Sequence, residues 1–136
     1  MDKMRILLVD DETRYLSTTS RLFSRKGYDA VTAASGTEAF KILGSSSIHV
    51  VILDMKMPGM DGMEILKTIK RDFPLVEVII LTGHGTMESA VDGLKAGASD
   101  YMVKPAYIDD MIKKAEEAFD RRLRIEEKIR MARSSK

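Results

Sequence analysis

The sequence has no cysteine and no tryptophan, only two histidines and three prolines, and an aromatic content of 6%. Without cysteine there are no disulfides, thiolate nucleophiles or cysteine-based zinc sites, and His49 and His84 are too few for a histidine-rich metal centre. A hard-metal site built from carboxylates remains open. Charge of one sign is also missing: 22 Lys and Arg stand against 21 Asp and Glu, and the resulting +1 supplies no global field for drawing in nucleic acid or an anionic membrane. Near the amino terminus the longest apolar run, Ile6 to Val9, falls far short of a signal-peptide core or a membrane span. The simplest reading is a cytoplasmic chain with no membrane and no direct nucleic-acid partner, and its 136 residues predict one domain.

What the sequence does have is short apolar runs alternating with longer amphipathic stretches. Arg5–Val9 and residues 30–34, 50–53, 76–81 and 101–103 read as five strands. The first, third and fourth are continuously apolar, the pattern of strands covered on both faces in a parallel sheet. Between them Leu16, Leu22 and Phe23, then Ala39, Phe40 and Leu43, then Ile65, Leu66 and Ile69, fit one-sided helices. Met87, Ala90, Val91 and Leu94 carry a fourth helix, and a fifth runs from about residue 107 past Leu123. Gly27 ends the first helix, Ser35-Gly36-Thr37 caps the second, and Pro74 and Gly97 follow the third and fourth. The βα unit repeated five times predicts a doubly wound α/β sheet with its site at the carboxyl ends of the central strands.

Acidic residues converge there. Asp10, Asp11 and Glu12 follow the first strand and Asp54 follows the third. If these strands are neighbours at the switch point, the carboxylates repel unless a cation or a shared proton compensates. Mg²⁺ suits such a site, because it binds through one or two carboxylates, keeps several waters and accepts phosphoryl oxygens. Taken singly each acid has a plainer role, Asp10 or Asp11 as a cap of the first helix and Asp54 as the start of a Met-Pro-Gly turn. Capping does not explain why the fourth strand ends in Thr82-Gly83 and the fifth in Lys104-Pro105, which add a hydroxyl and an ammonium at the same sheet end.

Asp10-Asp11, Val51-Ile-Leu-Asp-Met-Lys-Met-Pro-Gly-Met-Asp-Gly62, Thr82-Gly83, Gly97-Ala98-Ser99-Asp100-Tyr101 and Lys104-Pro105 together resemble the receiver domain of bacterial two-component response regulators. The resemblance implies a flavodoxin-like (βα)5 sandwich, with a five-stranded parallel sheet in order 2-1-3-4-5. It implies that Asp54 accepts phosphate from a sensor histidine kinase or histidine phosphotransfer protein. It implies further that Lys104 pairs with the phosphoryl group, that Asp10, Asp11, Asp54 and the backbone carbonyl of Lys56 hold Mg²⁺, and that the Lys104–Pro105 bond is cis. By the same resemblance, Thr82 and Tyr101 are expected to form the switch that remodels the face of helix 4, strand 5 and helix 5. Such a domain is a phosphoacceptor in a phosphorelay and not a turnover enzyme, although it takes part in its own phosphotransfer and autodephosphorylation. Lys56 and His84 lie where the family tunes that hydrolysis, and His84 can equally be a loop residue with no role. Met55, Met57, Met60 and Met63 offer either an adaptable docking surface or gap-filling packing. Ala106 departs from the Phe that many receivers carry after Lys-Pro.

The segment from Thr82 to Pro105 is similar to receivers of sigma-54-dependent transcription activators, which implies transcriptional regulation through an output domain lying outside these 136 residues. Residues 1–120 are read as the receiver and 121–136 as an extension of the last helix, a linker or dimerisation segment. Ile108, Met111, Ala115, Ala118, Arg122, Ile125, Ile129 and Ala132 follow a coiled-coil spacing interrupted by Arg122. A homodimer through helix 4, strand 5, helix 5 and this extension is one reading, and a solvated helix end is the other. Seven basic residues against Glu126 and Glu127 give residues 121–136 a charge of 7 − 2 = +5, without any DNA-reading motif. A Mg²⁺ phosphohydrolase of the haloacid-dehalogenase-like kind fits less well, because its acids are spaced Asp-x-Asp and these are adjacent. A receiver-like domain that never uses its phosphate is the remaining reading.

Overall fold

The computed structural model describes residues 3–57, 60–83 and 87–134. Five strands, β1 (Arg5–Val9), β2 (Asp29–Ala33), β3 (Val50–Asp54), β4 (Glu77–Thr82) and β5 (Asp100–Val103), form one parallel sheet in the order β2-β1-β3-β4-β5. Helices α1 (Thr13–Arg25), α2 (Gly36–Ser45), α3 (Gly62–Asp72), α4 (Met87–Lys95) and α5 (Ile108–Ser134) connect and follow them. This is the flavodoxin-like order 2-1-3-4-5 expected from the sequence.

Every residue of β3 and β4 is buried, as the unbroken apolar runs require. Ile6, Leu8, Val50, Ile52, Ile79 and Leu81 point to one face, where Leu16 and Phe23 of α1 and Met111, Ala115 and Ala118 of α5 cover them. Leu7, Val9, Val51, Leu53, Val78 and Ile80 point to the other, beneath Ala39 and Leu43 of α2 and Ile65, Leu66 and Ile69 of α3. Burying each large side chain is worth about 1.5–3 kcal/mol relative to leaving it in water, so these two layers are what hold the sheet ends in place.

Helix ends follow local chemistry. Gly27 takes φ 88° after α1, a conformation unfavourable for residues with a Cβ. The Ser35 side chain accepts from the Glu38 N–H at 3.2 Å, and the Glu38 carboxylate accepts from the Ala34 N–H at 3.1 Å, a reciprocal cap. The plainer alternative for Asp10 or Asp11, capping α1, does not hold, because Glu12 occupies the N-cap position and makes no side-chain cap bond. The Asp10 side chain is engaged at the sheet end instead. A short antiparallel ribbon, Lys56–Met57 with Met60–Asp61, also stands where only a turn was expected.

α5 runs 27 residues without a break. Met111, Ala115 and Ala118 are buried, whereas Ile125 and Ile129 farther along the same seam are exposed. Arg122, which interrupts the seam, donates from Nη1 to the Ile48 carbonyl at 2.6 Å and from Nε to Glu126 at 2.6 Å. Beside it Arg121 pairs with the buried Glu77 at 3.2 Å. That approach lacks the alignment of a hydrogen bond, so it is an ion pair alone. Among the described residues no helix is long and apolar enough to cross a membrane.

Candidate functional site

The carboxyl ends of β1, β3, β4 and β5 bring together the residues singled out in the sequence. β1 and β3 are hydrogen-bonded neighbours with Val9 opposite Leu53, so Asp10 and Asp54 leave the sheet side by side. Asp10 is 1% exposed and Asp54 4%, whereas Asp11 is exposed. Carboxylate oxygens of Asp10, Asp11 and Asp54 lie within 4.8 Å of one another. Asp10 Oδ1 accepts from the Glu12 N–H at 2.9 Å and Asp54 Oδ1 from the Lys56 N–H at 3.1 Å, which leaves the two Oδ2 atoms to face Lys104.

Lys104 follows β5, and its backbone N–H donates to the Thr82 carbonyl at 2.8 Å. The Lys104–Pro105 bond is cis, as the resemblance implied. Its ammonium lies 3.0 Å from Asp10 Oδ2 and 3.3 Å from Asp54 Oδ2, and 4.8 Å from the centre of the Tyr15 ring. Burial acts to depress the Lys104 pKa, but the bond to Asp10 and the charges of both carboxylates outweigh it and raise the pKa overall. Asp54 moves up as well, chiefly through burial and also through Asp10, against the lowering effects of the Lys56 N–H and Lys104. Burial likewise raises Tyr15, against the opposing charge of Lys104.

The Thr82 hydroxyl is buried at the end of β4 and donates to the Met102 carbonyl at a long 3.4 Å. Register pairs Ile80 with Tyr101 and Thr82 with Val103, so Thr82 and Tyr101 project from the same face of the sheet. Tyr101 is half-buried and borders a groove of about 480 Å³ with Val103, Lys113 and Lys114. A second cavity of about 160 Å³ lies between Lys56, Thr82, Gly83 and Asp92 beside the acidic cluster. Gly62 makes the acceptor loop possible: a Cβ there would stand 2.7 Å from the Met55 Cα and carbonyl oxygen. Met55 and Met63 pack against the core beneath the loop, which favours packing over docking for these two. His84 and the side chains of Met57 and Met60 lie outside the described residues.

Two buried acids bridged by one ammonium, with a hydroxyl on the adjoining strand, can hold a cation and a phosphoryl group together. Comparison with known proteins points the same way. Residues 6–116 match the model of the response regulator receiver domain. This chain belongs to that family. The receiver is 40% identical over 114 residues to a putative NtrX-like response regulator of Rickettsia bellii, covering 82% of this chain and 24% of the relative. It is 35% identical over 118 residues to the DNA-binding transcriptional regulator NtrC of Escherichia coli K12, covering 87% of this chain and 25% of that protein. The chain thus spans about a quarter of the length of these relatives. Among solved structures, a receiver domain protein from Clostridium thermocellum superposes with a TM-score of 0.84 at 40% identity, covering 90% of this chain and 98% of that one. NtrX from Brucella abortus superposes with a TM-score of 0.88 at 30% identity, covering 96% of this chain and 30% of that one.

One neighbour of the site carried no signal in the sequence. Tyr15 sits in the first turn of an amphipathic helix, and nothing local marks its ring as a neighbour of Lys104, 89 positions away. At the opposite, amino-terminal end of the sheet, Glu77 and Arg121 are likewise brought together by the fold.

Proposed function

We propose that this receiver accepts a phosphoryl group on Asp54 from a phosphohistidine of a sensor kinase or histidine phosphotransfer protein, and thereby changes a protein-binding surface. The observation that carries this reading is the Asp10–Lys104–Asp54 bridge, with both carboxylates buried, at the carboxyl end of the sheet. An Asp54 carboxylate oxygen attacks phosphorus in line, the phosphorus–nitrogen bond of the donor breaks, and the imidazole departs with the bonding pair and takes up a proton. The product is an acyl phosphate, and Lys104 pairs with its oxygens as a point charge.

The donor set fits Mg²⁺: three carboxylates cluster with hard oxygen atoms, and the Lys104 ammonium paired with two of them leaves the cluster net negative. Asp10, Asp11, Asp54 and the Lys56 carbonyl would hold the ion. Mg²⁺, when bound, supplies neutralisation of the phosphoryl oxygens. Asp10, whose side chain already engages the Glu12 N–H and Lys104, keeps the ammonium at the mouth of the site.

Phosphorylation adds negative charge and acceptor oxygens, which favours an inward turn of the Thr82 hydroxyl, whose bond to the Met102 carbonyl is long. Tyr101, on the same sheet face, then occupies the space released, and the surface of α4, β5 and α5 is remodelled. This shifts a population between two arrangements. Residues 1–120 act as the receiver in the cytoplasm, and 121–136 link it to an output for transcription or to a second copy. Hydrolysis of its own acyl phosphate resets the domain, with no sustained turnover of small substrates.

The test is the intact mass of the protein after incubation with acetyl phosphate. A gain of one phosphoryl group that requires Mg²⁺ and is absent in Asp54→Asn is the expected result. Equal gain in the variant would remove Asp54 from the mechanism, and no gain from either acetyl phosphate or a competent phosphohistidine would favour a phosphate-independent module.

A further inference from the structure

Among the described residues three neighbours meet the Lys104 ammonium: Asp10 Oδ2 at 3.0 Å, Asp54 Oδ2 at 3.3 Å and the face of Tyr15 at 4.8 Å from the ring centre. The last distance is inside the roughly 6 Å reach of a cation–π contact. Two of these partners are charged and belong to the reacting centre. Asp54 loses its carboxylate character when it becomes an acyl phosphate, and Asp10 faces the cation that the acidic cluster would take. Of these three, the ring alone keeps the same attraction throughout.

Tyr15 is well placed to be that constant partner. It sits in the first turn of α1, and its successors Leu16 and Thr19 are buried, so the helix carries the ring at a fixed distance from the sheet end. The phenol oxygen is buried and makes no hydrogen bond. Thr19, one turn on, is close enough to favour the phenolate, but its approach does not reach the alignment a hydrogen bond needs. Leaving a hydroxyl buried in this way is unfavourable. The ring face, not the oxygen, is therefore what the residue contributes. Lys104 has a flexible four-carbon stem and keeps 26% of its side chain exposed, so an ammonium without a constant partner swings toward water whenever its carboxylates are engaged elsewhere.

We propose that Tyr15 is a positioning residue for Lys104, its ring holding the ammonium directed at residue 54 while the charges around it change during phosphotransfer. The role rests on the phosphoacceptor reading given above. It is confined to the face of one aromatic ring, and a phenylalanine serves equally well.

The test compares wild type, Tyr15→Phe, Tyr15→Leu and Asp54→Asn for the initial rate of phosphoryl incorporation from acetyl phosphate with Mg²⁺, followed by intact mass. Incorporation in Tyr15→Phe is expected within about twofold of wild type, and in Tyr15→Leu about threefold to tenfold slower. Nuclear magnetic resonance supplies a readout that a purely structural role would not move. The ε-methylene protons of Lys104, assigned by their loss in Lys104→Arg, are shifted upfield by the ring in wild type and Tyr15→Phe and return to the ordinary lysine position in Tyr15→Leu. Wild-type rate in Tyr15→Leu, or an impairment in Tyr15→Phe equal to that in Tyr15→Leu, overturns the inference and leaves the phosphoacceptor reading intact. Unshifted ε-methylene protons in wild type overturn it without reference to any variant's folding. Undiminished incorporation in Asp54→Asn overturns the phosphoacceptor reading itself, and this role with it.

Discussion

Lys104, just beyond β5, closes a 3.3 Å ion pair onto Asp54 at the end of β3, and the same ammonium holds Asp10 at 3.0 Å. The bridge makes two buried carboxylates tolerable side by side. Burial and then Asp10 still leave the Asp54 pKa raised above its ordinary 3.8. A carboxyl raised on folding binds its proton more tightly in the native state, so its contribution is complete below 3.8 and is lost as pH rises through the native pKa. At neutral pH the charge on Asp54 therefore works against the fold. In chelator, Asp54→Asn is expected to raise the thermal unfolding midpoint at pH 7 and to leave it unchanged in acid. Lys104→Met is expected to lower stability by about 2 kcal/mol, less than the ~3–5 kcal/mol of a fully enclosed pair, because the lysine is partly exposed. Denaturant unfolding of the two variants checks both directions.

Arg122 fastens the long last helix to the amino-terminal end of the sheet through the Ile48 carbonyl, and Glu126, one turn on in the same helix, orients its guanidinium. Arg122→Ala is expected to cost about 1–3 kcal/mol, the range for charged hydrogen bonds. Amide exchange over residues 123–134 should accelerate in this variant while that of β3 and β4 holds. Arg122→Lys does not restore protection, because an ammonium lacks the planar fork that serves two acceptors at once.

Lys70 is held below its ordinary pKa of 10.5, first by burial and then by Arg122, with Glu77 opposing. Its ammonium donates to the Pro74 and Val76 carbonyls at 3.0 and 2.8 Å. A lysine depressed on folding binds its proton less tightly in the native state, so the unfolded chain holds more protons between the native pKa and 10.5. Stability contributed at this position therefore rises with pH across that window. Subtracting the unfolding midpoints of Lys70→Met from those of wild type at stepped alkaline pH is expected to give a difference that moves in favour of wild type toward pH 10.5. A flat difference would contradict the depressed pKa.

Thr82 spends its hydroxyl on a 3.4 Å contact with the Met102 carbonyl. So weak a bond contributes little, and Thr82→Ala is expected to change stability by under about 1 kcal/mol. Phosphoryl uptake should persist in the variant. The phosphorylation-dependent amide shifts at Tyr101 in β5 should disappear, as proton–nitrogen correlation spectra of the two proteins will show.

Much of this arrangement was legible in the sequence, because it is written in local patterns. Unbroken apolar runs marked β1, β3 and β4 as strands covered on both faces, and residues at their ends marked the site. Asp10, Asp54, Thr82 and Lys104 all meet where the strand ends predicted. The features not legible depend on tertiary contacts. Glu77 begins a strand read as simply apolar, and Arg121, 44 positions away, accounts for its burial. Arg122 read as a defect in a coiled-coil seam and is instead an anchor. The ribbon at Lys56–Met57 and Met60–Asp61 escaped notice because two-residue strands have no periodicity.

The central claim, that Asp54 carries the phosphoryl group, is tested most directly by trapping the acyl phosphate chemically. Borohydride reduces an aspartyl phosphate to homoserine and leaves free carboxylates untouched. After brief exposure to acetyl phosphate and Mg²⁺, reduction and peptide mapping are expected to find homoserine at position 54 alone. Homoserine at position 10 or 11, or phosphate retained with no homoserine anywhere, would contradict the account.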